Sequence, residues 1–287
     1  ASGVKTIFDD FMKYRHENNV EKALETLSEA ANIAESNEDS KLLLDTYHQY
    51  ARLFLEEGDA ETSIFYWDRS SIMLKDTSYS YGEAFHLYLD AALRFGEGNN
   101  FQALKQLEKS RKLSNNRNLT NNILLLEARI YSNIEKYEDA IKNLHALIVN
   151  SDDEERAFLA TMANLELAKI SVVLDDLEEG IIHSKAALEL AQKHGYSKEI
   201  KVAYEQLSNI YEEEGNYGES LVYTKALAKL KDSVFNIEKA KLDADTADKV
   251  RFDHQMTELN KLQAKNEELS ESKNRSEITA ILTSAFL

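Results

Sequence analysis

The sequence contains neither cysteine nor proline among its 287 residues, and it has only nine glycines. The lack of cysteine excludes disulfides, thiol nucleophiles and cysteine-ligated zinc. Proline and glycine interrupt helices, so their scarcity beside abundant Ala, Leu, Glu and Lys predicts an all-helical protein. Apolar residues make up 43% and charged residues 30% of the chain, which is typical of a folded domain rather than a disordered one.

Basic residues are also under-represented, at 34 against 51 acidic residues, and the formal net charge is -17. A field of that sign repels the phosphates of nucleic acids and anionic lipid head groups. We therefore expect no nucleic-acid binding by this segment. The acidity itself is explained by the solubility of a long helical surface.

Motifs for catalysis are missing as well. No two of the seven histidines lie four residues apart, and there is no His-Glu-x-x-His run, Gly-rich phosphate loop or Gly-x-Ser-x-Gly elbow. The sequence therefore predicts no catalytic residue, no metal site and no cofactor, and we expect that this chain is not an enzyme.

What the sequence does contain is a repeated helical hairpin. Its clearest copies are residues 58–64 and 215–221, and each copy closes on a small residue. These small residues, at spacings of 40, 40, 37, 40 and 40, are Ala23, Ser63, Ala103, Ala140, Gly180 and Ser220. Self-similarity at such a period indicates a solenoid of stacked units, and solenoids are usually binding surfaces rather than enzymes.

The second unit shows how each hairpin is built. Apolar residues recur at helical spacing before Gly58 and Asp59, which are a turn residue and a helix cap, and a second helix follows. Small, aromatic and turn residues occupy fixed positions of this hairpin, and these residues are Ala51, Phe54, Gly58, Asp59, Ser63, Trp67 and Ser70. This pattern resembles the tetratricopeptide repeat, over residues 4 to about 236. The departures are a period near 40 rather than 34 and the lack of proline at the repeat ends.

The resemblance implies a right-handed superhelical solenoid of about six such hairpins over residues 1–236, followed by a long C-terminal helix. Residues 237–277 are dense in charge and lack Gly and Pro, so we expect a helical stalk, which is either a single solvated helix or a dimerising coiled coil. Residues 278–287 carry no charge and are about half the length of a membrane span, which predicts the start of a truncated transmembrane helix. A short apolar docking helix is the alternative.

This order of segments, with the junction at residues 231–236, resembles a class of bacterial membrane-anchored regulators. In that class the solenoid is the extracytoplasmic, periplasmic sensor, and a histidine-kinase or helix-turn-helix output lies beyond the membrane. The resemblance implies a protein- or peptide-binding sensor domain that contacts the membrane only through residues after 277 and forms a homodimer through its C-terminal helix. Lys273 and Arg275 favour the cytoplasmic side instead. The alternative is therefore a cytoplasmic adaptor or co-chaperone scaffold.

The same resemblance places the first helix of each unit on the concave groove. The ninth position of that helix across the six units is Met12, Arg52, Leu93, Arg129, Lys169 and Asn209, and His48 and Gln206 are neighbouring groove positions. Three basic residues in this row predict a strip that holds an acidic peptide or a C-terminal carboxylate. The candidate ligand residues are His48, Arg52, Arg129, Lys169, Gln206 and Asn209. Alternatively these are solvated residues paired with acids, as Lys169 would be with Glu166.

Overall fold

The structure is a computed structural model that describes residues 2–75, 78–148 and 154–231. Residues 1–227 form one compact unit, which contains the sites discussed below. The described residues form twelve helices and no strand. The helices are α1 (Ser2–His16), α2 (Val20–Ser36), α3 (Ser40–Glu56), α4 (Ala60–Leu74), α5 (Ser80–Gly96), α6 (Asn100–Leu113), α7 (Arg117–Asn133), α8 (Tyr137–Ile148), α9 (Glu154–Val173), α10 (Leu177–His194), α11 (Ser197–Glu213) and α12 (residues 217–231).

Successive helices pair into the predicted hairpins. α1 packs on α2, α3 on α4, α5 on α6, α7 on α8 and α9 on α10, and Ser208 of α11 is hydrogen-bonded to Thr224 of α12. The first helices of neighbouring units also pack together, α3 on α5, α5 on α7, α7 on α9 and α9 on α11. The prediction of an all-α solenoid of six stacked hairpins is confirmed.

The turn inside every hairpin holds one residue in the left-handed backbone region. These residues, with φ between 57° and 82°, are Asn18, Gly58, Gly98, Glu135, Asp175 and Gly215. Their spacing repeats that of the small residues found in the sequence. Three of the six are not glycine, so the turn geometry is imposed by the hairpin and accepts the strain that a side chain brings to this conformation.

The small residue of each motif is buried where the two helices of a hairpin approach each other. Ser63 donates a hydrogen bond of 2.7 Å from its Oγ to the carbonyl oxygen of Ala51 and so links α4 to α3. A Cβ added at Gly180 would lie 3.3 Å from side-chain atoms of both Ile210 and Val172. The predicted packing role of these positions is therefore confirmed.

The hydrophobic core is a series of clusters along the array rather than one centre. One is built around Phe85 and Leu107, a second around Leu144 and Leu167, and a third around Phe11. This distribution is expected when each unit buries its apolar surface mainly against its neighbours.

Three of the sequence predictions lie outside the described residues. They are the end of the solenoid at residue 236, the stalk of residues 237–277 and the start of a transmembrane helix at 278–287. Within the described ranges, no helix combines the length and the apolar character that a membrane span requires.

Candidate functional site

The odd-numbered helices, which are the first helices of the units, converge so that the start of the array meets its end. The ring of His16 stacks on the ring of Phe158, with the centroids 4.1 Å apart. The Nζ of Lys198 lies 3.3 Å from a carboxylate oxygen of Glu57, across 141 residues of sequence. Side chains from α1 and α3 are thereby placed against α9 and α11.

Two arginines share one carboxylate at this convergence. Arg15 donates from a terminal guanidinium nitrogen to Oε1 of Glu56 over 3.1 Å, and Arg52 donates from Nε to the same oxygen over 3.0 Å. Arg52 also donates to Oδ1 of Asn122 over 2.8 Å. Burial alone would raise the pKa of Glu56, but the two guanidiniums outweigh it and hold that pKa below its ordinary value. Burial, followed by the charge of Arg52, lowers the pKa of Arg15 to about 10.

His16 is a buried, neutral imidazole beside Arg15. Burial, and then the charges of Arg15 and Arg52, together lower its pKa from 6.5 to about 2. Its Nε2 lies 2.7 Å from the terminal nitrogen of Arg15. A guanidinium can only donate, so Nε2 is the acceptor and the proton sits on Nδ1. Both Nδ1 of His16 and Nε of Arg15 are buried and have no hydrogen-bond partner.

A cavity of about 250 Å³, which we call the Arg15 cavity, opens beside these groups. Its charged lining residues are Arg15, Arg52, Glu56, Glu57, Arg129, Lys198 and Glu199. Its apolar and aromatic lining residues are Val20, Leu53, Tyr88, Leu125, Phe158, Leu159 and Met162. Burial raises the pKa of Glu199 to about 7, so this carboxyl carries only part of its charge at neutral pH.

A second cavity of about 250 Å³, the Asp45 cavity, shares Arg52 and Asn122 with the Arg15 cavity and is also lined by Asp45, His48, Gln49 and Tyr81. His48 is 1% exposed, and neither of its ring nitrogens has a hydrogen-bond partner. Burial holds its pKa well below the ordinary value. Burial likewise raises the pKa of Asp45 to about 7, although the hydroxyl of Tyr79 donates to this carboxylate over 2.9 Å.

The two remaining basic candidates, Arg129 and Lys169, both contact the carboxylate of Glu166. Arg129 donates from Nε to Oε1 of Glu166 over 2.9 Å, and the Nζ of Lys169 lies 3.2 Å from Oε2 of the same carboxylate. This is the pairing that the alternative interpretation of the sequence expected. Glu166 thereby separates the two cations, and the predicted basic strip is interrupted by acids at Glu56 and Glu166.

The six predicted ligand residues fall into two groups. His48, Arg52 and Arg129 line cavities among the first helices of the units, and Arg52 and Arg129 share a further cavity of about 200 Å³ between α3, α5 and α7. A separate cavity of about 210 Å³ between α9 and α11 is lined by Lys169, Gln206 and Asn209. The structure thus brings Lys169, Gln206 and Asn209 to one cavity, whereas His48 and Arg129 each share a cavity with Arg52 but not with each other. The role of all six residues in ligand binding stays a prediction.

Three residues of the convergence were missed by the sequence analysis: Arg15, His16 and Lys198. Arg15 lies three positions after Met12 on the same helical face, which the repeat had assigned to the groove. That spacing was an available signal for Arg15. Lys198 carried no signal, because its partner Glu57 is distant in sequence. In the described ranges, no group of three or more His, Asp or Glu residues could hold a metal ion.

No protein-family model matches this chain, and no curated protein matches it either. Among solved structures, it is similar to the crystal structure of BtubC (BKLC) from P. vanneervenii, with a TM-score of 0.55 and 14% sequence identity. The match covers 76% of this chain and 92% of that chain. Similarity at this identity concerns the fold alone, and it assigns this chain the fold of an all-helical, repeat-like protein.

Proposed function

We propose that this chain is a tetratricopeptide-type solenoid that binds a protein or peptide along the first helices of its units. The observations behind the proposal are the residues of the repeat. Ala51 and Ser63 are buried where the repeat requires small side chains, and Gly58 and Gly215 take the left-handed turn conformation. Repeat solenoids of this kind present extended surfaces that suit elongated ligands.

The observation that carries the proposal is the position of Arg52 and Arg129. Both arginines line the cavity between α3, α5 and α7, and apolar residues such as Leu89 and Phe95 line it as well. A guanidinium can hold a carboxylate through two parallel hydrogen bonds. An acidic side chain or a C-terminal carboxylate of a ligand would take the place of Glu56 or Glu166 on these arginines.

A peptide-display screen against the full chain tests this function, followed by affinity measurements on Arg129→Ala. We expect a loss of about tenfold or more for ligands selected by the wild type, since charge-assisted hydrogen bonds contribute about 1.5–3 kcal/mol. Arg117→Ala on the same helix is the matched control, because Arg117 is exposed and lines none of these cavities. Unchanged binding of every selected peptide by Arg129→Ala contradicts the proposal.

We further propose that the solenoid is the periplasmic sensor of a bacterial membrane-anchored signalling or transcriptional regulator and dimerises through residues 237–277. The support is the order of segments in the sequence.

Protease treatment of spheroplasts that express the native gene tests the location of the solenoid. Digestion from outside supports the sensor, and protection supports a cytoplasmic adaptor or co-chaperone. The reading frame after Leu287 is a second test, because a kinase or helix-turn-helix domain there supports the regulator. Deletion of residues 237–287 followed by mass measurement in solution tests the dimer.

A further inference from the structure

Two buried donors and one buried acceptor, Oε2 of Glu199, have no hydrogen-bond partner among the residues that line the Arg15 cavity. Arg15 and His16 are 8% and 2% exposed, and the Nε of the first and the Nδ1 of the second lack a partner. A buried donor without an acceptor costs about 1–3 kcal/mol. Two such donors on adjacent residues that both line one cavity are explained most simply by an acceptor that enters the cavity.

The charges around the cavity indicate the sign of that acceptor. Arg15 and Arg52 share one oxygen of Glu56, and the charge of Glu155 also acts on both arginines. Four cationic side chains and three carboxyl groups line the cavity, and one of these carboxyls, that of Glu199, is only partly charged at neutral pH. The lining therefore carries a small excess of positive charge in a chain of net charge -17. Lys198 is one of these cations, and it is 49% exposed at the cavity rim while it contacts Glu57. An uncompensated buried charge is unfavourable, so a bound anion would be stabilised here.

The walls of the cavity indicate the rest of the ligand. Leu53, Leu125, Leu159 and Met162 line it, together with the rings of Tyr88 and Phe158. Contact between these walls and an apolar ligand would stabilise the complex by about 25 cal/mol per Å² of apolar surface removed from water. Inorganic phosphate or sulfate would leave them empty.

We propose that the Arg15 cavity binds a carboxylate that is carried on an apolar body. The carboxylate lies between Arg15, His16 and Lys198, and the apolar body contacts Leu53, Leu159 and Met162. Glu199 also lines the cavity and becomes compatible with this ligand when it is protonated. If the carboxylate is the C-terminus of a peptide, the inference rests on the proposed function. If the ligand is a free amphiphilic acid, the inference does not depend on that function.

Calorimetric titration of the full chain with hexanoate tests the site, with hexanamide as the matched uncharged probe. We expect hexanoate to bind and hexanamide to bind at least tenfold more weakly, which corresponds to about 1.4 kcal/mol. Equal binding of the two probes, or binding of neither, overturns the proposal.

Variants locate the site. Lys198→Gln changes a half-exposed side chain and should leave the fold intact, and it should weaken hexanoate binding by about fivefold to tenfold. Arg15→Gln should weaken it further. Arg69→Gln is the control, since Arg69 is exposed and lies over the ring of Phe65 outside the cavity. Hexanoate binding that both Lys198→Gln and Arg15→Gln leave unchanged overturns the assignment.

Peptides distinguish the two sources of the carboxylate. A peptide ending in leucine is compared with the same peptide amidated at its C-terminus. If only the free acid binds and competes with hexanoate, the ligand is a peptide terminus. If hexanoate binds and no peptide does, the cavity takes a free acid and the peptide-binding function fails alone. If peptides bind through Arg129 regardless of amidation and hexanoate does not bind, the function stands and this inference fails.

Discussion

The ring of His16 lies on the ring of Phe158, with the centroids 4.1 Å apart and the planes inclined by 14°. Tyr196 packs edge-on against both rings, with centroid distances of 5.8 Å to His16 and 5.3 Å to Phe158. This aromatic contact joins α1 to α9 and to the turn before α11. The Arg15 cavity beside it is lined by residues from all six hairpins.

Removing the Phe158 ring should therefore loosen the convergence as well as remove core volume. We expect Phe158→Ala to lower the free energy of unfolding by about 2–4 kcal/mol, because a half-buried ring is lost and Arg15 and His16 lose their stacking partner. Urea denaturation followed by circular dichroism measures the change. Phe101→Ala is the control, since Phe101 is 76% exposed and its loss should matter little. Equal effects of the two substitutions would show that the contact contributes no stability.

Glu199 predicts a pH dependence of stability. Its pKa is raised from 4.5 to about 7 by burial, so between these values the folded state binds a proton that the unfolded state has released. The stability that this group contributes is thus fully present below pH 4.5 and is lost as the pH rises through 7. Glu199→Gln should match the wild type near pH 5 and exceed it at pH 8 by up to about 3 kcal/mol.

Thermal and urea unfolding of both proteins from pH 5 to pH 8 measures this difference. Glu212→Gln on the exposed side of α11 is the control, and it should follow the wild-type profile. A difference between Glu199→Gln and the wild type that does not change with pH would contradict the assignment of the raised pKa to this carboxyl.

Substitutions at the left-handed residue of two hairpin turns should change the free energy of unfolding in opposite directions. Gly58 has φ +82°, and an added Cβ would meet no atom within 4 Å, so Gly58→Ala should destabilise the fold through backbone strain alone, by about 1 kcal/mol. Glu135 occupies the same turn position with φ 61°, so Glu135→Gly should stabilise it by about 0.5–1 kcal/mol. Chemical denaturation measures both. The same sign for the two substitutions would contradict the shared role of the positions.

Glu166 predicts a change in affinity if the groove binds acidic ligands. Its carboxylate occupies both Arg129 and Lys169, so Glu166→Gln frees two cations for a ligand. We expect acidic peptides selected by the wild type to bind several-fold more tightly, because an internal competitor for the same hydrogen bonds is gone. Fluorescence anisotropy of labelled peptides measures this. Glu212→Gln should leave the affinity unchanged, and weaker binding to Glu166→Gln would mean that its carboxylate positions Arg129 for the ligand.

Much of the fold could be predicted because the information is local. The small residue of each motif, such as Ser63, and the turn residue before it, such as Gly58, lie within one hairpin. Their spacing follows from helix geometry, and each hairpin packs mainly on its neighbours. The identity of the left-handed residue was less predictable, since Asn18, Glu135 and Asp175 take a conformation that glycine usually supplies.

The candidate site was only partly predictable. The resemblance to the repeat placed Arg52 and Arg129 in the first helices of their units, and both line the cavity between α3, α5 and α7. It could not show that Glu56 would be shared between Arg15 and Arg52, because Arg15 and Glu56 are 41 residues apart. The basic residues that the sequence places in one row are therefore paired in the structure, Arg52 with Glu56 and both Arg129 and Lys169 with Glu166.

By itself, the sequence determined the helical class, the six hairpins and their turns, because these depend on periodicity and on contacts within a unit. Only the tertiary structure decided that α1 meets α9 and α11, that His16 is neutral, and that Arg15 and Lys198 border one cavity with Glu199. The physical reason is that small rotations between successive units add along the array. Residues such as Lys198 and Glu57 thus meet across 141 positions through packing that no local pattern records.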